Sequence, residues 1–81
     1  MAAVESMHEE TPALRLNATV DYETGHVRFG TLEIFDPALA LLDAERVVDR
    51  LVTRITVALV KRGWTYKPDG TMKPPAPEES D

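Results

Sequence analysis

Residues 26–36 read HVRFGTLEIFD. Val27 and Phe29 are apolar at odd positions, and Leu32 and Ile34 at even ones. Side chains of a β-strand alternate between faces with a period of two, so one strand through this stretch must change phase at Gly30-Thr31. A β-bulge accounts for the slip. One extra residue returns the apolar positions to a common face, and glycine is the residue that permits it. The alternative is that the strand ends at Gly30 and residues 32–35 form a separate segment. The bulged reading decides the fold, because it supplies a full-length partner for the strand before it.

That earlier strand is residues 14–23, LRLNATVDYE. Leu14, Leu16, Ala18, Val20 and Tyr22 share one face, and Arg15, Asn17, Thr19, Asp21 and Glu23 share the other. Such alternation marks a half-buried strand. Thr24-Gly25 then reads as a two-residue hairpin loop. With that loop, Glu23 faces His26, Tyr22 faces Val27 and Val20 faces Phe29. Past the bulge, Ala18 meets Leu32 and Leu16 meets Ile34. Asp21 opposite Arg28 and Asn17 opposite Glu33 complete the polar face as compatible cross-strand pairs.

Asp36-Pro37 opens a helix, with an acid at the N-cap and proline at the first helical position. The helical pattern runs through Lys61-Arg62 and stops at Gly63, a C-cap residue beside basic groups that suit the helix dipole. Unbroken, it has about 26 residues and a length of roughly 39 Å. Asp43 offers an alternative cap that would make residues 37–42 a separate turn. At 100° per residue, Ala44, Val47, Val48, Leu51, Val52, Ile55, Ala58 and Leu59 form a broad apolar stripe, expected to cover the hairpin. Leu39, Leu42, Val57, Val60 and Trp64 form a second, narrower row opposite it, interrupted by Arg46 and Thr53. Arg46, Arg50, Arg54 and Lys61 make a basic ridge beside that row.

One hairpin can satisfy only one helix face, and an isolated two-stranded hairpin is marginal. The expected fold is therefore α+β, a bulged antiparallel hairpin followed by one long helix (ββα), with a second copy of the chain covering Leu39, Leu42, Val57, Val60 and Trp64 as a homodimer interface. The competing possibility is that residues 64–73 fold back over this row. Within that segment Pro68-Asp69-Gly70 signals a turn, with Trp64, Tyr66 and Met72 flanking it as a small hairpin. Residues 13–73 are expected to form the single domain. Residues 1–12 and the proline-rich acidic stretch 74–81 are expected to be disordered tails.

The 81 residues bound the chain to one domain. A core this small gives little surplus stability, and with no cysteine neither a disulfide nor a thiolate metal site can compensate. No segment has the length and apolarity of a membrane span, and MAAVESMHEE does not resemble a secretory signal, so the expected location is cytoplasmic. The net charge of −5 is unevenly spread. Residues 1–45 set two arginines against nine acids, whereas residues 46–73 set seven basic residues against Asp49 and Asp69.

Catalytic residue types are scarce. The serines are Ser6 and Ser80, and the histidines are His8 and His26 beside the turn. No glycine-rich phosphate loop and no metal-ligand spacing appear, so neither an enzyme nor a cofactor is expected. The leading expectation is a non-enzymatic, dimeric protein–protein interaction or regulatory module; a phage- or plasmid-encoded accessory role suits a chain this small. An exposed strand edge could also accept a partner strand. A second possibility is nucleic-acid binding through Arg46, Arg50, Arg54, Lys61, Arg62 and Lys67, with Trp64 and Tyr66 nearby for stacking. A third is a small structural subunit of a larger assembly.

Overall fold

A computed structural model describes residues 3–75. The acidic stretch from residue 76 onward, read as part of a disordered tail, lies outside the described residues. In chain order the elements are β1 (Val4–Glu10), β2 (Leu14–Asp21), β3 (Val27–Ile34), α1 (Pro37–Lys61), β4 (Thr65–Tyr66) and β5 (Met72–Lys73). The first three strands form an antiparallel sheet in the order β1-β2-β3, and β4 and β5 form a separate two-stranded ribbon. The α+β class is as the sequence implies, with one strand more than the hairpin it showed.

That extra strand is the main correction. Residues 4–10, VESMHEE, were expected to be part of a tail, yet they pair with β2 along its whole length, from Val4 opposite Asp21 to Glu10 opposite Arg15. The register places Glu5, Met7 and Glu9 opposite Val20, Ala18 and Leu16, on the face that meets the helix. Two of those three residues are acids, so the apolar pattern that identifies a strand is missing. Hydrogen-bond donors replace it. Arg54 of α1 donates to the Glu9 carboxylate and to the His8 carbonyl, and the Tyr22 hydroxyl donates to Glu5. A partly buried carboxylate is tolerable when it is paired and hydrogen-bonded.

The bulge lies where the phase slip requires it. Phe29 is opposite Ala18 and Leu32 is opposite Leu16, so Gly30 and Thr31 together face Asn17. The register on either side is displaced by two residues from the expected pairing: Val27 meets Val20, Arg28 meets Thr19 and Glu33 meets Arg15. The cause is the turn, a four-residue loop of residues 22–25 closed by hydrogen bonds from Asp21 N to His26 O and from Gly25 N to Asp21 O. The Asp21 carboxylate accepts from the Glu23 and Thr24 amides, and the Thr24 hydroxyl accepts from the His26 amide. This side-chain capping of the loop outcompetes the tighter turn. A displacement of two preserves faces, so every apolar residue stays on its expected side.

The helix is continuous through Asp43, whose carboxylate instead accepts a 2.6 Å hydrogen bond from the Thr11 hydroxyl in the β1–β2 connection. Asp36 caps its start by accepting from the Ala38 amide. At its end, Gly63 N donates to Val60 O and Trp64 N to Leu59 O, with Gly63 at φ +99°. This is the Schellman arrangement, and Leu59 and Trp64 are both buried in the core cluster, as that motif favours.

The core consists of Leu14, Leu16, Ala18, Val20 and Tyr22 of β2 and its turn against Ala40, Val47, Leu51, Ile55 and Leu59 of α1, closed at one end by Trp64. Trp64 was expected in the outward row. The helix ending turns it inward, where its indole N–H donates to the Tyr22 carbonyl at 3.0 Å and its ring lies against Gly25. The β4–β5 ribbon forms around the Pro68-Asp69-Gly70 turn with Tyr66 opposite Met72, and Met72 packs on the core.

Candidate interaction surfaces

The helix packs across β1 and β2, not over the hairpin. Its β1 flank is marked by Asp43, Arg54 and Arg62, which reach Thr11, Glu9 and the Tyr22 ring. At 100° per residue, Leu41, Val48 and Val52 lie on the opposite flank, toward β3. That strand is left uncovered. Phe29, Leu32 and Ile34 share the face of the β2 core residues, yet they are 43%, 54% and 53% exposed. Leu41, Val48 and Val52, two of them from the stripe expected to be buried, are exposed beside them, and Leu41 reaches 88%. Together these residues make an apolar shelf one strand wide along the free edge of the sheet.

The expected interface residues occupy a different surface. Leu39, Leu42, Val57 and Val60 are all exposed, Leu42 and Val60 on the side of the helix away from the sheet and Val57 at the rim of a groove beside β1, and residues 64–73 do not fold over them. Trp64 is buried within its own chain and presents no surface there. The sequence does not show the shelf, because its exposure follows from the helix lying over β1 and β2, and β1 carries no apolar strand pattern.

The basic residues are divided in use. Arg54 pairs with Glu9, and Arg62 lies 3.9 Å over the Tyr22 ring with a guanidinium nitrogen 4.0 Å from Glu5. Arg46, Arg50, Lys61 and Lys67 are exposed and form no ion pair among the described residues. Between β1 and the C-terminal half of the helix runs an open groove of about 690 Å³, bordered by Glu5, Met7, Tyr22, Val57, Lys61 and Arg62. Burial, followed by the hydrogen bond to Glu5, raises the pKa of the Tyr22 hydroxyl above the ordinary tyrosine value. The hydroxyl is therefore a neutral structural donor.

Among the described residues, no group of three potential metal ligands occurs and no helix is long and apolar enough to cross a membrane. His8, on β1, and His26, in the connection between β2 and β3, are both exposed. Compared with protein-family models, curated proteins and solved structures, the chain matches none. Its function must be argued from its own residues.

Proposed function

We propose that the protein is a non-enzymatic interaction module that works as a homodimer. The observation that carries this reading is the apolar shelf. A large apolar side chain left half exposed offers roughly 100 Å². Phe29, Leu32, Ile34, Leu41, Val48 and Val52 therefore offer on the order of 600 Å² of contiguous apolar surface, near the roughly 800 Å² per partner of a standard interface. A monomer rarely leaves a patch of this size open without using it.

Nucleic-acid binding along the arginine ridge is less well supported. Arg54 and Arg62 are engaged by β1 and Tyr22, and the chain is acidic overall. Light scattering behind a sizing column, across a dilution series, tests the dimer. A mass near twice 9.0 kDa is expected. A mass of 9.0 kDa at every concentration overturns the reading, and species that grow without limit point instead to a lattice-forming subunit.

A further inference from the structure

The eight residues of β3, VRFGTLEI, have a palindromic character. From the outside inward they run Val27 and Ile34, Arg28 and Glu33, Phe29 and Leu32, Gly30 and Thr31. Apolar matches apolar, small matches small, and the one charged pair has opposite signs. An antiparallel strand paired with its own copy about a two-fold axis brings together these same positions.

In a regular strand this pairing would fail. A two-fold axis between Gly30 and Thr31 pairs odd-numbered residues with even-numbered ones, and those point to opposite faces. The bulge removes the conflict. Because the phase slips at Gly30-Thr31, Val27, Phe29, Leu32 and Ile34 all lie on the helix side, and Arg28 and Glu33 both lie on the far side. The slip that sets the intrachain register thus also makes the free edge self-complementary.

We infer that β3 is the seam of the homodimer: two copies join edge to edge, antiparallel, about an axis at Gly30-Thr31, into one six-stranded sheet. Val27 meets Ile34 and Phe29 meets Leu32 of the second copy, and Arg28 meets Glu33 twice per dimer. Both helices lie on the same side of this sheet, and Leu41, Val48 and Val52 of each flank a shared apolar floor. Because α1 lies over β1 and β2, it leaves room for the second strand. The other edge of the sheet, β1, carries Glu5, His8, Glu9 and Glu10, charges of the kind that discourage edge pairing.

This inference rests on the dimer reading, and charge complementation separates the two. Arg28→Glu and Glu33→Arg are made singly and measured by light scattering, with far-UV circular dichroism and urea unfolding to establish folding. Each alone sets like charges opposite one another twice per dimer, and its dimer dissociation constant is expected to rise about tenfold or more. Mixing the two variants one to one makes both pairs attractive, so a mixed dimer of near wild-type affinity is expected. Glu33→Arg also places an arginine beside Arg15 within the chain. If that variant does not fold, Arg28→Glu is instead mixed with the double variant Arg15→Gln/Glu33→Arg, which removes that intrachain contact. Variants that dimerise like wild type, or a mixture no tighter than its components, overturn the seam and leave the dimer standing. A wild-type monomer at every dilution overturns both.

Discussion

Gly25 and Gly30 both punctuate the hairpin, but only one is irreplaceable. Gly25 has φ +76°, and a Cβ there would lie 2.5 Å from Cη2 of Trp64. Gly25→Ala therefore meets both backbone strain and a collision with a buried ring, and a loss of roughly 2–3 kcal/mol in urea unfolding is expected. Gly30 has no positive φ, and its nearest atom to a built Cβ is the Asn17 carbonyl at 4.0 Å, so Gly30→Ala should change monomer stability by less than about 1 kcal/mol. The sequence pointed to the bulge at Gly30 because a phase slip is a local pattern. It did not reveal the demand at Gly25, which comes from a tryptophan 39 residues along the chain. Tyr22 adds a pH dependence. Burial, then the bond to Glu5, raises its folded-state pKa above the ordinary value of 10.0. The folded chain thus holds this proton more tightly than the unfolded chain. The stabilisation is fully present below pH 10 and is lost as pH rises through the folded-state value. Tyr22→Phe should lessen the decline in stability above pH 10, measured by urea midpoints at successive pH values.

At the scale of elements, the helix and β2 were legible because their periods are clean and their ends carry local signals: Asp36-Pro37 at the start and Gly63 at the stop. The strand β1 was not, because its inward side chains are Glu5, Met7 and Glu9. Its attachment combines a backbone ladder, one thioether and polar ties to Tyr22, Arg54 and the helix base at Asp43. Such an element has little apolar burial and should open before the rest. Amides of β1 that bond to β2 are expected to exchange with deuterium faster than those of β2 that bond to β3, as read by residue-resolved exchange. Equal protection across the sheet would show that β1 belongs to the same cooperative unit. Because Arg54 reaches two residues of this strand, Arg54→Ala should widen the difference. It should cost about 1 kcal/mol or less in global stability, since the pair is half exposed.

Over the whole molecule, two apolar surfaces compete for the role of interface, and composition separates them. The outer helix row of Leu39, Leu42, Val57 and Val60 is broken by Arg46, Asp49 and Thr53, which a partner would have to strip of water. On the shelf, Phe29, Leu32 and Ile34 of β3 have no charged neighbour on their face, and on the helix flank Glu45 alone interrupts the row of Leu41, Val48 and Val52. The shelf is also continuous with the core, because Phe29 and Leu32 extend the face of Ala18 and Leu16. A two-residue comparison decides between them. Leu32 and Val60 are 54% and 48% exposed, so replacing either with glutamate removes a similar amount of packing from the monomer. In an interface, however, each glutamate is desolvated without a partner, twice per dimer. Leu32→Glu is expected to raise the dimer dissociation constant roughly a hundredfold or more, and Val60→Glu to change it by less than about threefold, by sedimentation or light scattering over the same dilution series. The reverse ranking would return the interface to the outer row, and equal effects would require both surfaces to be covered in one larger assembly.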